Sequence, residues 1–180
     1  MEKKTLIINL FGAPGAGKST AAAWIFAKLK AAGVDAELVT EYAKDRVWEG
    51  NLDVFNCQFY ITGKQVWKIA RCIGKVDVIV TDSPLRGGKI YAQLHGQNKL
   101  ADAVTEQADI YEKQSLNFFL NRAAEYQPNG RNQTEEESNE IASKMKEELL
   151  KDGIKFLEFE GTSSSYDRIT EYILNVISTN

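Results

Sequence analysis

The residues best suited to chemistry lie in one segment near the N-terminus, which has the pattern G-x-x-x-x-G-K-S. Glycines let the backbone curl until successive N–H groups point inward at phosphate oxygens, and the start of the next helix adds positive potential. Lys18 is expected to bridge the β- and γ-phosphates of a nucleoside triphosphate, and the Ser19 hydroxyl to ligate Mg²⁺. The predicted triphosphate site comprises Gly12, Ala13, Pro14, Gly15, Ala16, Gly17, Lys18, Ser19 and Thr20.

Two carboxylates follow predicted strands and suit the same chemistry. Asp82 ends a hydrophobic strand, which is the arrangement of a carboxylate that holds Mg²⁺ beside Ser19, directly or through water. Glu41 follows the preceding strand and is predicted to accept the proton of an attacking hydroxyl during phosphoryl transfer. The simpler alternatives are that Asp82 caps the next segment and that Glu41 only stabilises a helix start through the helix dipole.

Arg122 and Arg131 flank a polar, turn-rich loop, and we predict a lid-like segment over about residues 122–134. Arginines closing over the phosphates would neutralise developing charge and exclude water, which otherwise competes with the acceptor. The alternative is a pair of solvated arginines. Lys18, Glu41, Arg122 and Arg131 form the predicted catalytic set.

Further polar and aromatic residues are candidates for binding the acceptor. A local basic rim is predicted from Lys44, Arg46, Arg86 and Lys89. Tyr42 offers a face for stacking, and either Gln58 or Gln65 offers an amide that could read a base edge. Other aromatic residues (Trp48, Phe59, Tyr60 and Trp67) are more simply interpreted as core. His95 has no catalytic partner in the pattern and is interpreted as a loop histidine.

Strands and helices alternate along the chain, which predicts an α/β three-layer sandwich with a five-stranded parallel sheet. The strands are predicted at Thr5–Phe11, Ala36–Thr40, Val76–Thr81, Ser115–Leu120 and Ile154–Glu160. The helices are predicted at Thr20–Ala32, Glu41–Arg46, Leu52–Arg71, Leu100–Lys113, Thr134–Leu150 and Tyr166–Ile177. Residues 85–99 are interpreted as loop around a short helix, and a continuous helix competes with the fourth strand. Ligands in such sheets bind beyond the carboxyl ends of the strands, where the P-loop, Glu41 and Asp82 would converge.

Length and charge limit the remaining possibilities. A chain of 180 residues is most simply one domain, 1–180, and its formal net charge of −3 provides no overall attraction for nucleic acid. The two cysteines, Cys57 and Cys72, have no zinc-type spacing and lie poorly for pairing, so we expect a reducing cytoplasm. No apolar run reaches membrane-spanning length, and the N-terminus leaves no room for a signal peptide before the first strand.

Several segments together resemble a family of small phage-encoded P-loop proteins, often described only as AAA-type ATPases. The segments are Leu10 to Thr20, Val39 to Asp45, Gln58-Phe59-Tyr60-Ile61, Lys64-Gln65, Val80 to Leu85 and Gly130-Arg131-Asn132-Gln133-Thr134-Glu135. The family includes 5-hydroxymethyluridine DNA kinases, and its fold is similar to those of deoxynucleoside kinases and nicotinamide riboside kinase. The resemblance implies a kinase that uses ATP and Mg²⁺, with an acidic base after the second strand and, for a phage protein, the cytoplasm of a bacterial host as its location.

The acceptor implied by the resemblance is a nucleoside-type hydroxyl, most specifically 5-hydroxymethyluracil in phage DNA. Relatives continue with apolar residues after Asp82-Ser83-Pro84-Leu85, whereas this chain has Arg86-Gly87-Gly88, so the departure bears on acceptor identity. A kinase of a free nucleoside or nucleotide is the alternative, and an NTP-hydrolysing switch or binding module is an alternative of another class. The sequence leaves the oligomeric state open.

Overall fold

A computed structural model describes residues 3–50, 52–126 and 134–179. The strands are β1 Leu6–Phe11, β2 Ala36–Val39, β3 Val78–Thr81, β4 Ser115–Asn121 and β5 Leu157–Glu160. The helices are α1 Lys18–Ala31, α2 Tyr42–Trp48, α3 Gln58–Ala70, α4 Leu85–Leu94, α5 Asn98–Tyr111, α6 Glu135–Lys151 and α7 Ser163–Ser178. A 3-10 helix, Leu52–Asn56, precedes α3.

The strands form one parallel sheet in the order β2-β3-β1-β4-β5, with helices on both faces. The α/β class, the parallel sheet and its five strands therefore agree with the sequence prediction. Because side chains alternate along a strand, β1 contributes Ile8 and Leu10 to one face and Ile7 and Phe11 to the other. The first face packs against α1 and α7, and the second packs against α3, α4, α5 and α6.

Three regions differ from or refine the predicted elements. The fourth strand is a strand, β4, rather than part of a continuous helix, because it pairs with both β1 and β5. The predicted helix over 52–71 is divided into the 3-10 helix and α3, with Cys57 between them. Residues 85–94 form a full helix, α4, directly after Pro84, where a loop around a short helix was expected.

Two further features of the helices are as follows. Thr134 and Glu137 form a capping box at the start of α6, since each side chain accepts a hydrogen bond from the other residue's backbone N–H. No helix in the described ranges is both long enough and apolar enough to span a bilayer.

Candidate functional site

The P-loop leaves β1 and turns sharply into α1 at glycines that no other residue could replace without strain. Gly12 has φ 144° and Gly17 has φ 86°, both in the region that L side chains rarely adopt. A Cβ at Gly12 would lie 2.6 Å from the Leu120 carbonyl oxygen, and one at Gly17 would lie 2.5 Å from the Tyr166 hydroxyl. The loop can therefore pass close to β4 and α7 and still present its backbone N–H groups to the cleft.

The P-loop is also braced by the helices around it. The Ser138 hydroxyl of α6 donates a 2.8 Å hydrogen bond to the Pro14 carbonyl. Lys18 Nζ donates to the carbonyl oxygens of Gly12, at 2.8 Å, and Ala13, at 2.9 Å. The amine therefore lies folded against the loop, at the position from which it would turn toward phosphate oxygens.

A cleft with a volume of about 530 Å³ begins at the P-loop and continues between α2, α3 and α4. This size falls within the range of small-molecule and cofactor sites. Its donor end is lined by Gly12, Pro14, Gly15, Gly17, Lys18, Ser19 and Thr20. Its other half, which we call the acceptor half, is lined chiefly by Glu41, Lys44, Trp48, Phe55, Gln58, Thr62, Gly87, Tyr91 and His95. The side chains of Ala13 and Ala16 are buried behind the loop.

The ends of β2 and β3 are joined at the centre of this cleft. The backbone N–H of Glu41 donates a 3.0 Å hydrogen bond to Asp82 Oδ1. One residue further, the Tyr42 N–H donates to Gln65 Oε1, and Gln65 Nε2 donates to the Ser83 carbonyl. The carboxyl ends of neighbouring parallel strands meet at one sheet edge, which is why Glu41 and Asp82 converge as the sequence predicts.

The Glu41 carboxyl is set in a low-dielectric environment near charged neighbours. Burial raises the pKa of Glu41 above its ordinary value, and the charge of Asp82 acts in the same direction. The positive charges of Lys18, Lys44 and Lys68 oppose this rise. Tyr91 lies close by in α4, and burial together with the charge of Glu41 raises the pKa of its phenol, which therefore stays protonated.

Of the predicted acceptor contacts, Lys44, Gln58 and Gln65 line the cleft, whereas Lys89 forms ion pairs with Glu148 and Asp152 instead. Gln58 is buried at the start of α3. Its side-chain amide makes no hydrogen bond with any of the residues that the structure describes, so it is available to a ligand.

Arg86 is a correction to the predicted basic rim. Its guanidinium is buried away from the cleft, where it forms an ion pair with Asp109 and lies 3.7 Å from Glu112 Oε2 and from Asp152 Oδ2. Glu112 also accepts a 3.0 Å hydrogen bond from the N–H of Leu85, the first residue of α4. Arg86 therefore holds α4 against α5 and the end of α6.

Tyr42 does not line the cleft either. Its ring packs edge-on against Tyr60 with centroids 5.9 Å apart, and the two hydroxyls lie 3.1 Å from each other. Trp48, Phe59, Tyr60 and Trp67, which were interpreted as core, are exposed. The aromatic residues of α3 instead lie on its outer face, opposite the cleft.

Arg122 lies at the base of the predicted lid. Its guanidinium donates to Glu135 and Asn139 at the start of α6, and it lies 5.1 Å from the Tyr126 ring centroid. Arg131 and most of the lid-like segment, residues 127–133, lie outside the described residues.

Four residues of the acceptor half were not predicted as site residues: Gly87, Tyr91, Thr62 and Phe55. Gly87 is buried in α4, and a Cβ there would meet no atom within 4 Å apart from the local helix backbone. His95, which was interpreted as a loop histidine without a catalytic partner, also lines the cleft. The spacing of Gly87, Tyr91 and His95, four residues apart, is the signal that could have placed them on one face of a helix.

The described residues contain no cluster of three or more His, Cys, Asp or Glu side chains that could hold a metal ion. Mg²⁺ needs no such cluster, because it is commonly bound by one or two protein oxygens together with substrate phosphates and water. Ser19 and Asp82 each carry side-chain oxygen atoms of the kind that Mg²⁺ prefers as ligands. Asp82 is 3% exposed and is not among the residues that line the cleft. Its Oδ1 accepts the Glu41 N–H, so Oδ2 is the oxygen that would be offered to an ion or its water.

Comparison with known structures supports the fold. NadR protein in complex with NR matches with a TM-score of 0.68 and 16% identity, over 95% of this chain and 52% of that chain. NadR protein in complex with NAD and AMP-PNP matches with a TM-score of 0.68 and 14% identity, over 96% of this chain and 49% of that chain. The chain thus spans about half the length of these NadR chains.

No curated protein matches the sequence significantly. An AAA domain family matches residues 7–166, from within β1 to the first turn of α7. This match includes the whole P-loop, Glu41 and Asp82. The chain therefore belongs to this AAA domain family and is an ATP-binding P-loop domain.

Proposed function

We propose that the protein is an ATP- and Mg²⁺-dependent kinase that transfers the γ-phosphoryl group to a hydroxyl of a nucleoside-type acceptor. The observation that supports this most directly is that Lys18 and Glu41 line the same cleft, one at its donor end and one at the start of its acceptor half. A triphosphate held by the P-loop would place its γ-phosphate toward the acceptor half. A carboxylate there is suited to receive the proton of an attacking hydroxyl.

Each polar group at the donor end has a distinct role in this proposal. The P-loop amides and Lys18 bind the phosphates, with the amine leaving the Gly12 and Ala13 carbonyls to reach them. Ser19 and Asp82 hold Mg²⁺, which would neutralise charge on the β- and γ-phosphate oxygens. The hydrogen bond from Glu41 N–H to Asp82 fixes the base relative to the metal ligand.

We propose different roles for the two predicted lid arginines. Arg122 is the first residue of the lid-like segment, and it donates hydrogen bonds to Glu135 and Asn139 just after the segment ends. It therefore acts as a positioning residue at the lid's base. Arg131, within that segment, is assigned the contact with the transferring phosphoryl group. Closure of the segment would exclude water and favour transfer over hydrolysis.

The acceptor half suits a nucleobase with its attached hydroxyl. The rings of Trp48 and Phe55 line it together with the unpaired amide of Gln58, and Gly87 leaves room beside them. Together with the resemblance described above, this favours 5-hydroxymethyluracil in DNA, where the base would be flipped out of the stack. The NadR complexes, with NR in one case and NAD with AMP-PNP in the other, make a free nucleoside or nucleotide the second candidate.

The test supplies γ-labelled ATP and Mg²⁺ with separate acceptors: DNA containing hydroxymethyluracil, ordinary DNA, and free nucleosides and nucleotides. Label in the hydroxymethyluracil DNA alone is the expected result. Label in free nucleosides or nucleotides alone would reject the DNA acceptor but keep the kinase. Release of inorganic phosphate alone would reject the kinase and favour an NTP-hydrolysing switch. Glu41→Gln serves as the control for enzyme-dependent transfer.

A further inference from the structure

The outer surface of α2 and α3 carries aromatic and basic side chains that the proposed chemistry does not use. We call it the aromatic–basic face and define it by Tyr42, Arg46, Phe59, Tyr60, Lys64 and Trp67. Phe59 is 72% exposed, Trp67 66% and Tyr60 42%. Exposed aromatic residues grouped on one face of a helix commonly mark an interaction surface.

The side chains of this face are held in fixed stacking arrangements. The Arg46 guanidinium lies 5.0 Å from the Tyr42 ring centroid, Tyr42 packs on Tyr60, and Lys64 Nζ lies 5.3 Å from the Tyr60 centroid. Two stacked rings thus lie between two cations across the two helices. Arg46 also forms an ion pair with Glu49, on the same helix end.

Along α3, the aromatic–basic face has an open space between the rings of Phe59 and Trp67. Phe59, Gly63 and Trp67 follow one another at intervals of four residues, so they lie in line along α3. A Cβ at Gly63 would meet no atom within 4 Å apart from the local helix backbone. Flat groups can therefore stack on Phe59 and Trp67 without meeting a side chain between them.

The charge of α3 and its flanking residues differs from that of the whole protein. Residues 54–76 contain four basic residues and no Asp or Glu, although the chain carries a net charge of −3; α2 and its C-cap add Lys44 and Arg46 together with Asp45 and Glu49. Positive charge interleaved with exposed rings is the combination that binds single-stranded nucleic acid, with phosphates on the cations and bases on the rings. Self-association through a two-fold axis would instead set two copies of this face, each carrying Arg46 and Lys64, against each other, because such an interface pairs a patch with itself.

We infer that the aromatic–basic face binds a single-stranded segment of the nucleic acid whose base enters the acceptor half of the cleft. The two surfaces are opposite sides of one helix, since Gln58, Ile61 and Thr62 of α3 line the cleft. They are separated by about one helix diameter, roughly 10 Å. Binding of a single strand to this face does not depend on the proposed function. Only the statement that a base of that strand enters the cleft as the acceptor rests on it.

The test measures binding alone, without ATP, by the fluorescence anisotropy of a labelled single-stranded oligonucleotide of about 12 nucleotides. Trp67→Ala and Phe59→Ala are each expected to weaken binding about tenfold or more, because each removes a stacking ring. Trp24→Ala, which removes a partly exposed tryptophan from α1, is the matched control and should change binding by less than about twofold.

The charges are tested separately. Lys64→Glu should weaken binding and reduce the slope of log affinity against log salt by about one, whereas Lys30→Glu on α1 should have a much smaller effect. Trp67 and Lys64 are exposed, so the variants should unfold at the wild-type temperature. Wild-type affinity in both ring variants, or no binding by the wild-type protein, would overturn the inference. A dimer in sedimentation that Trp67→Ala abolishes would also overturn it and assign the face to self-association.

Failure of this inference can be separated from failure of the proposed function. If the ring variants lose oligonucleotide binding while no acceptor is ever labelled from ATP, the docking surface stands and the kinase does not. If transfer to a free nucleoside occurs and no variant changes strand binding, the kinase stands and the docking surface does not. If the protein is a kinase and the face also binds the strand, Trp67→Ala should raise KM for the oligonucleotide acceptor with little change in kcat.

Discussion

The backbone N–H of Glu41 donates a 3.0 Å hydrogen bond to Asp82 Oδ1, so the residue after β2 is held by the residue after β3. One carboxylate is thereby oriented by the main chain of the other. If Asp82 holds Mg²⁺ and Glu41 receives a proton, the metal ligand is tied to the backbone that carries the base. Such coupling would preserve the relative position of the two groups during phosphoryl transfer.

The first prediction concerns Glu41 as the base. Glu41→Gln should leave ATP affinity nearly intact and lower transfer by about two orders of magnitude or more, because the amide cannot accept the acceptor's proton. Burial raises the pKa of Glu41, so wild-type transfer should decline on acidification at a higher pH than for an exposed glutamate. The residual transfer activity of Glu41→Gln should not show this decline on acidification. Titrating the transfer rate against pH for both proteins checks the prediction, and equal rates would remove Glu41 from the mechanism.

The second prediction concerns the magnesium site. Asp82→Asn keeps an oxygen that can accept the Glu41 N–H but removes the charge that would face the metal. We expect transfer to fall by about 10- to 100-fold at low Mg²⁺, in keeping with the loss of one charge-assisted interaction, and to recover partly at high Mg²⁺. The measurement is the transfer rate as a function of Mg²⁺ concentration. An unchanged magnesium dependence would exclude Asp82 as a ligand.

The third prediction concerns room for the acceptor at Gly87. Gly87→Leu should place its side chain in the acceptor half and raise KM for the acceptor about tenfold or more, while the Kd for ATP stays unchanged. Gly87→Ala is the graded control, with a smaller effect on KM. Alanine should also raise the free energy of unfolding by about 0.5–1 kcal/mol, because glycine is a poor helix former. Unchanged KM in the leucine variant would show that the acceptor binds elsewhere.

The fourth prediction concerns the buried Glu112 beneath α4. Burial raises the pKa of its carboxyl to about 7, in spite of the Leu85 N–H and Arg86. The folded state thus binds the proton more tightly than the unfolded state. The resulting stabilisation is complete below the ordinary glutamate pKa and is lost as the pH rises through about 7, with a total of about 3 kcal/mol.

Glu112→Gln cannot lose this proton and retains an acceptor for the Leu85 N–H. The variant should therefore show a flatter dependence of unfolding free energy on pH and should exceed wild-type stability above pH 7. Urea unfolding between about pH 5 and 8 measures the difference. Glu106→Gln, an exposed change on the same helix, is the control and should follow the wild-type curve.

The donor half of the site could be predicted from the sequence because its determinants are local. Gly12, Gly17, Lys18 and Ser19 lie within eight consecutive residues between a strand and a helix, and their spacing alone specifies the loop. The parallel sheet followed from hydrophobic strands alternating with helices. The positions of Glu41 and Asp82 followed from the rule that such strands end at a common edge.

The acceptor half could not be derived in the same way, because helix rotation decides which side chains face it. Arg86 and Gly87 are neighbours in sequence but point about 100° apart on α4, so one enters a buried carboxylate cluster and the other faces the cleft. Tyr42 likewise faces outward, because its ring packs on Tyr60 of α3. That partner is 18 residues away in sequence, so local spacing could not predict the contact. The sequence by itself determined a P-loop, its carboxylates and a parallel sheet, since these depend on local spacing and strand order. Only the tertiary structure decided which helix faces line the cleft, since that depends on how distant helices pack.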